Sequence, residues 1–198
     1  SFQAMRSREL LIDGLVQGGM DQGNGLSTHE YPYLLQFLPY AFNPDGKRCL
    51  MIGLGPGIVP AWYKAQGVDT EVVDIDPEVA ELARKFFGFS TAIPVHIEDA
   101  RYFLINTRQR YDYLILDVFN GETAPGHLLS VEAMRLAKQR LAPGGVLAVN
   151  LIGSVNHHTL MTSSAVKTIQ SVFDQVAVYP VFDPSAGEGT GNIEIIAY

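Results

Sequence analysis

The chain has 198 residues, room for one ordinary domain with a small appendage, which buries about two-thirds or more of the unfolded surface. Hydrophobic residues make up 47% of it, which argues against a disordered chain, and 14 Lys plus Arg against 21 Asp plus Glu leave a formal charge of −7, which argues against a protein held to nucleic acid by bulk charge. No stretch approaches about 18 uninterrupted apolar residues and no signal peptide is visible, so no membrane span is expected. The single Cys49 rules out an internal disulfide and a multi-cysteine zinc site, and a reducing cytoplasm is the simplest compartment. The first residue is Ser, as expected of a processed chain, an excised domain or an expression scar.

In chain order, two short apolar runs flank Asp13-Gly14 and predict a hairpin over residues 9–17. Residues 18–25, rich in Gly, Asn and Asp, read as loop, and residues 31–40 have helical spacing up to Pro44-Asp45-Gly46. From Arg48 the pattern becomes regular. Strands are predicted over residues 49–53, 70–74, 95–97, 111–116 and 145–152, and helices over 58–66, 78–87, 131–141 and 157–173. Pro77 suits a first helical turn, and Pro143-Gly144-Gly145 stops the helix before it. Two closing strands, 176–182 and 193–198, are separated by a segment with no room for a helix and predict an antiparallel pair. Strands alternating with helices of about ten residues mean a parallel α/β sheet. With an antiparallel last strand this is the class I S-adenosylmethionine-dependent methyltransferase-like (Rossmann-type) sheet, preceded by a small N-terminal β-hairpin. The expected organisation is a hairpin and linker helix over 1–45, read as a truncated β domain, and a nucleoside-binding domain over 46–198.

The first strand of the regular part runs into Gly53-Leu54-Gly55-Pro56-Gly57 and then a helix. Glycines let the turn tighten and a ligand approach the backbone, although the same residues also serve a plain βα turn. The second strand ends in Asp74, about twenty residues on, where a carboxylate can accept from both ribose hydroxyls. Asp76 reads more simply as a helix N-cap. After the third strand, Glu98-Asp99-Ala100 can place a carboxylate against an adenine amino group, with an N-cap as the alternative for Asp99. All of these lie at the C-terminal ends of consecutive strands, where open α/β sheets bind ligands. A dinucleotide fold is the competitor, but it usually wants Gly-x-Gly-x-x-Gly, and here the third glycine comes early, at Gly57, as suits S-adenosylmethionine and its relatives better.

The other chemistry-bearing residues have plainer readings. His157 and His158 are adjacent and diverge on a helix, and His29, His96 and His127 lack ligand spacing, so no metal is expected. His127 lies in a loop where it could face a substrate, a solvated His being the simpler reading. Ser130 reads as an N-cap, Cys49 as core, and Trp62, Tyr63, Tyr111 and Tyr113 as packing.

Several motifs together resemble those of the spermidine synthases, or polyamine aminopropyltransferases, and most of all the spermidine-synthase-like domains sometimes fused to membrane transporters. The resemblance runs from Leu10 to Tyr198. Leu11-Ile12-Asp13-Gly14-Leu15-Val16-Gln17 looks like the family's Leu-Asp-Gly-x-x-Gln hairpin, and Tyr31 falls on the tyrosine of its Tyr-x-Glu motif, ahead of a matching Leu38-Pro39. Val73-Asp74-Ile75-Asp76-Pro77 resembles its acidic-Ile-Asp segment, and Ile97-Glu98-Asp99-Ala100 its adenine segment. Leu116-Asp117-Val118-Phe119-Asn120 stands where the family has its catalytic Asp-x-x-Asp loop.

The resemblance implies binding of decarboxylated S-adenosylmethionine, or S-adenosylmethionine itself, and of a small-molecule amine. It implies Gln17 near the ribose or sulfur, Gly53, Gly55 and Gly57 around the nucleoside, Asp74 on the ribose, and Asp99 with Ala100 at the adenine. It further implies Tyr31 and Asn120 in the amine pocket, Asp117 as the base that deprotonates the amine, and Asp183-Pro184-Ser185 closing the site. Family members carry a longer, strand-rich N-terminal portion that helps them oligomerise, so a homodimer is an expectation. Three positions depart from the family. Pro56 stands where the glycine loop carries an acid, Asn120 replaces the second acid of the catalytic loop, and Pro32 follows Tyr31. A charge-assisted bond is worth about 1.5–3 kcal/mol, so two lost carboxylates cost roughly a hundredfold or more in polyamine selectivity. The sequence therefore predicts an aminopropyltransferase with eroded polyamine selectivity. A small-molecule methyltransferase and a nucleoside-sensing domain without turnover are the alternatives.

Overall fold

A computed structural model describes residues 6–118, 126–155, 160–184 and 189–198. Strands β1 (Ser7–Ile12) and β2 (Leu15–Asp21) form the expected hairpin. Asp13 and Gly14 take positive φ, 51° and 78°, in a two-residue turn whose twist matches that of the strands it joins. Residues 18–21, expected as loop, continue the strand because residues 7–10 pair with them, so tertiary pairing overrides weak glycine propensity. Leu10 pairs with Gly18 and Leu11 with Val16, which leaves Gln17 as the extra residue of a β-bulge.

The rest alternates as α1 (Tyr31–Phe42), β3 (Arg48–Ile52), α2 (Ile58–Ala65), β4 (Asp69–Asp74), α3 (Pro77–Phe87), β5 (Val95–Ile97) and α4 (Ala100–Asn106). It continues with β6 (Tyr111–Leu116), α5 (Val131–Arg140), β7 (Leu141–Ser154), α6 (Leu160–Gln170), β8 (Val176–Pro180) and β9 (Thr190–Ala197). The long β7 starts earlier than expected. Its register on β6 jumps from Tyr111–Leu141 to Tyr113–Val146, and the skipped residues, Pro143-Gly144-Gly145 among them, form an irregularity rather than a break. The helix expected from His157 is described from Leu160, with residues 156–159 outside the described residues.

The strands form a seven-stranded sheet in the order β5-β4-β3-β6-β7-β9-β8. β9 lies between β7 and β8 and runs antiparallel to both, while β3 to β7 pair in parallel, as the sequence pattern predicts. Both faces are covered. Along β3, Cys49 and Met51 pack with Leu35 of α1, Tyr63 of α2 and Ala83 of α3. Leu50 and Ile52 pack on the other face with Phe103 of α4, Met134 of α5 and Ile169 of α6. Each such large apolar side chain contributes roughly 1.5–3 kcal/mol by leaving water. Tyr111 and Tyr113 are core residues, and Trp62 packs edge-on against Phe37, Tyr40 and Tyr63.

The helices start and stop for local reasons. The side chains of Asp76, Asp99 and Ser130 accept from Glu78 N, Tyr102 N and Ala133 N at 2.8, 2.9 and 3.2 Å, so each is an N-cap. Helix α1 carries Pro39, whose missing N–H leaves the Leu35 carbonyl without its helical donor. The Tyr63 hydroxyl fills the gap, donating to Leu35 O at 2.9 Å, with Gln36 O at 3.1 Å. Among the described residues no helix is long and apolar enough to cross a membrane.

Candidate active site

The turn after β3 is tight. Gly53, Gly55 and Gly57 all have positive φ, 89°, 52° and 81°. At Gly53 a side chain has no room, since a Cβ would lie 2.0 Å from the Asp117 carbonyl oxygen. The same closeness appears in the ladder, where Asp117 N donates to Ile52 O at 2.9 Å and Gly53 N to Val73 O at 2.8 Å. The hairpin docks over this turn. A Cβ at Gly18 would lie 2.8 Å from the Pro56 ring, and the Tyr31 hydroxyl donates to Gln17 O at 3.3 Å. The bulge thus brings Gln17, the glycine turn and Tyr31 together.

On one side of the turn lie Asp74 and Asp99. The Asp74 carboxylate accepts from Leu54 N at 2.8 Å and from Asp76 N at 2.9 Å, which ties the glycine turn to the end of β4. Burial pushes its carboxyl above the usual range, and these amide donors pull against that. Asp99 caps α4 and also lies 3.5 Å from His127 Nε2, so the loop carrying His127 closes on this side of the site. Ala100 is buried beneath it. Ile75 and Ile97, next to the two acids, are 72% and 46% exposed. Bare apolar side chains beside two acceptors and a glycine turn fit a nucleoside, which offers a flat base and a diol. Among the described residues no group of three or more His, Cys, Asp or Glu is placed to hold a metal.

On the other side lies a polar chain that the sequence analysis missed. The Asn150 amide donates to Asp117 Oδ1 at 2.8 Å, and the Asn192 amide donates to Asn150 Oδ1 at 2.9 Å. Glu194 pairs in register with Asn150 on β7 and with Tyr179 on β8, so their side chains share the sheet face that α1 covers. Glu194 is 0% exposed, and neither carboxylate oxygen has a hydrogen-bond partner among the described residues. Burial, reinforced by the charge of Asp117, pushes its carboxyl well above the ordinary range. Asp117 is itself pushed up to about 6 by burial, against the Asn150 amide, which favours the ionised form. Burial and then the charges of Asp117 and Glu194 push up the Tyr31 phenol. Burial thus works against the charge of both acids, and the Asn150 amide favours ionisation at Asp117.

A signal for these residues was present. Asn150 interrupts the apolar run of β7, and Glu194 sits between isoleucines in β9, a strand buried on both faces. Asn120 lies outside the described residues, as do His157, His158 and Ser185; Asp183 and Pro184 are exposed.

Comparison with known proteins bears on family and fold. The spermine/spermidine synthase domain model matches residues 29–196. A polyamine aminopropyltransferase of Vibrio vulnificus is 38% identical over 130 residues, 61% of this chain and 43% of that protein. An N-terminal histidine N-methyltransferase of Emericella nidulans is 35% identical over 133 residues, 65% of this chain and 24% of that protein. The chain thus spans less than half the length of these curated relatives. In fold, the crystal structure of a probable spermidine synthase from Corynebacterium glutamicum superposes with a TM-score of 0.80 at 23% identity, covering 100% of this chain and 74% of that one. The fold is the class I methyltransferase-like sheet, and the chain belongs to the spermine/spermidine synthase domain family.

Proposed function

We propose that the chain is the nucleoside- and amine-binding part of an aminopropyltransferase that uses decarboxylated S-adenosylmethionine. The observation that carries this is Asp117, a carboxylate at the tip of the central strand β6, held by Asn150 and beside the glycine turn. A base pushed up to about 6 is ionised at neutral pH yet basic enough to take a proton from an ammonium in a desolvated site. The amine gives that proton to Asp117, and its nitrogen lone pair forms a bond to the aminopropyl carbon. The carbon–sulfur bond breaks with its electron pair going to sulfur, and neutral methylthioadenosine leaves. Gln17, Gly53, Gly55, Gly57, Asp74, Asp99 and Ala100 are the proposed nucleoside residues, and Tyr31 and Asn120 the proposed amine residues. The division into 1–45 and 46–198, a cytoplasmic location and a homodimer belong to the same reading.

A second reading, an S-adenosylmethionine-dependent methyltransferase, is favoured by Pro56. It packs against Gly18, leaving no acid in the turn to repel the carboxylate of ordinary S-adenosylmethionine. Calorimetric titration with the decarboxylated and ordinary forms separates the two. Tighter binding of the decarboxylated form is expected, and tighter binding of the ordinary form moves the assignment to methyl transfer. In Asp117→Asn, aminopropyl transfer should fall about 10²–10⁴-fold with nucleoside affinity nearly unchanged. Unchanged transfer by that variant removes Asp117 from the chemistry.

A further inference from the structure

Strand order sorts the polar groups around Asp117. The glycine turn, Asp74 and Asp99 follow β3, β4 and β5, all to one side of β6. Asn150, Asn192 and Glu194 lie on β7 and β9, on the other side. Neighbouring strands are about 4.8 Å apart, so the Glu194 backbone stands about 10 Å from that of Asp117, across from the nucleoside side. Glu194 therefore lies on the far side of Asp117 from the proposed nucleoside residues.

A carboxylate with no exposed surface and no partner among the described residues is an unmet demand for a cation or a donor. Among the described residues Asn150 and Tyr179 stand opposite it in register and Asp117 and Tyr31 bear on it electrostatically, none of them basic. Nothing among these neutralises it, and Asp117 works against its ionisation.

We infer that Glu194 is a specificity-determining residue of the acceptor site, receiving the distal, non-reacting ammonium of a diamine whose other nitrogen is delivered to Asp117. This rests on reading the Asp117 site as that of an aminopropyltransferase. It gives the acceptor site a second acid, although Asn120 is neutral and Pro56 uncharged. A diamine brings a second cation to the buried Glu194 carboxyl, and a monoamine does not.

The test is calorimetric titration of a four-carbon diamine and the four-carbon monoamine into the chain saturated with methylthioadenosine. Wild type and Glu194→Gln are compared. The wild type is expected to bind the diamine at least tenfold more tightly than the monoamine, and the isosteric Glu194→Gln variant to bind both alike. Its melting temperature at pH 8 should equal or exceed that of the wild type, since a buried acid has been removed. A wild type without diamine preference, or a variant that keeps it, overturns the inference. Turnover is read separately: a protein that binds diamine through Glu194 but forms no product keeps this assignment and loses the transferase reading.

Discussion

Asp117 is pulled in opposite directions by its surroundings: burial resists its charge, and the Asn150 amide favours it. The pH profile of transfer in the free enzyme should therefore show an acid limb near pH 6, with activity lost below it as Asp117 takes a proton. Asn150→Ala removes the donor that stabilises the carboxylate, so the limb should move to higher pH. A limb that stays in place shows that Asn150 does not tune the base. The same raised acidity constant bears on stability. A carboxyl whose folded value lies above its unfolded value of about 3.9 stabilises the fold below that pH, and the contribution is lost as pH rises through about 6. Glu194 has the same sign, so any stability gain in Glu194→Gln should be present at pH 8 and vanish near pH 4.

At the scale of elements, α1 depends on a hydroxyl from another helix. Tyr63→Phe keeps the ring in the core but leaves the Leu35 carbonyl, orphaned by Pro39, without its donor. A loss of about 1–3 kcal/mol in denaturant unfolding is expected, with the slope unchanged. Helix α1 also begins with Tyr31, so this variant should weaken amine binding before it weakens nucleoside binding. Helices and strands were largely legible in the sequence because each carries its own period, and α3, α4 and α5 carry their own caps. Asp76, Asp99 and Ser130 announce their helices within a few residues. Half of the site was legible for the same reason: the glycine turn, Asp74 and Asp117 each end a strand in a local motif. The other half was not. Asn150 and Asn192 are 42 residues apart and meet only because β9 pairs with β7. Likewise, β2 runs through glycines that look like loop until β1 is beside them.

Taken whole, the chain carries −7 formal charges, a net field that suits the proposed cationic acceptor better than an anionic one. The specificity constant for a diamine should fall about 2–10-fold as salt rises from about 0.01 M to 0.15 M, because the Debye length shrinks from about 30 Å to about 8 Å. Binding of neutral methylthioadenosine should hardly change over that range, and a diamine constant insensitive to salt rules out long-range attraction. The order of the sheet also bears on how the molecule is made. β9 is synthesised after β8 yet inserts between it and β7, so β8 cannot dock until its successor leaves the ribosome. Until then β7 presents a bare edge, and a nascent chain that already owns its glycine turn, Asp74 and Asp117 still lacks Glu194. The proposed nucleoside residues are thus encoded upstream of the proposed acceptor residue, and a chain that ends within β9 carries the first without the second.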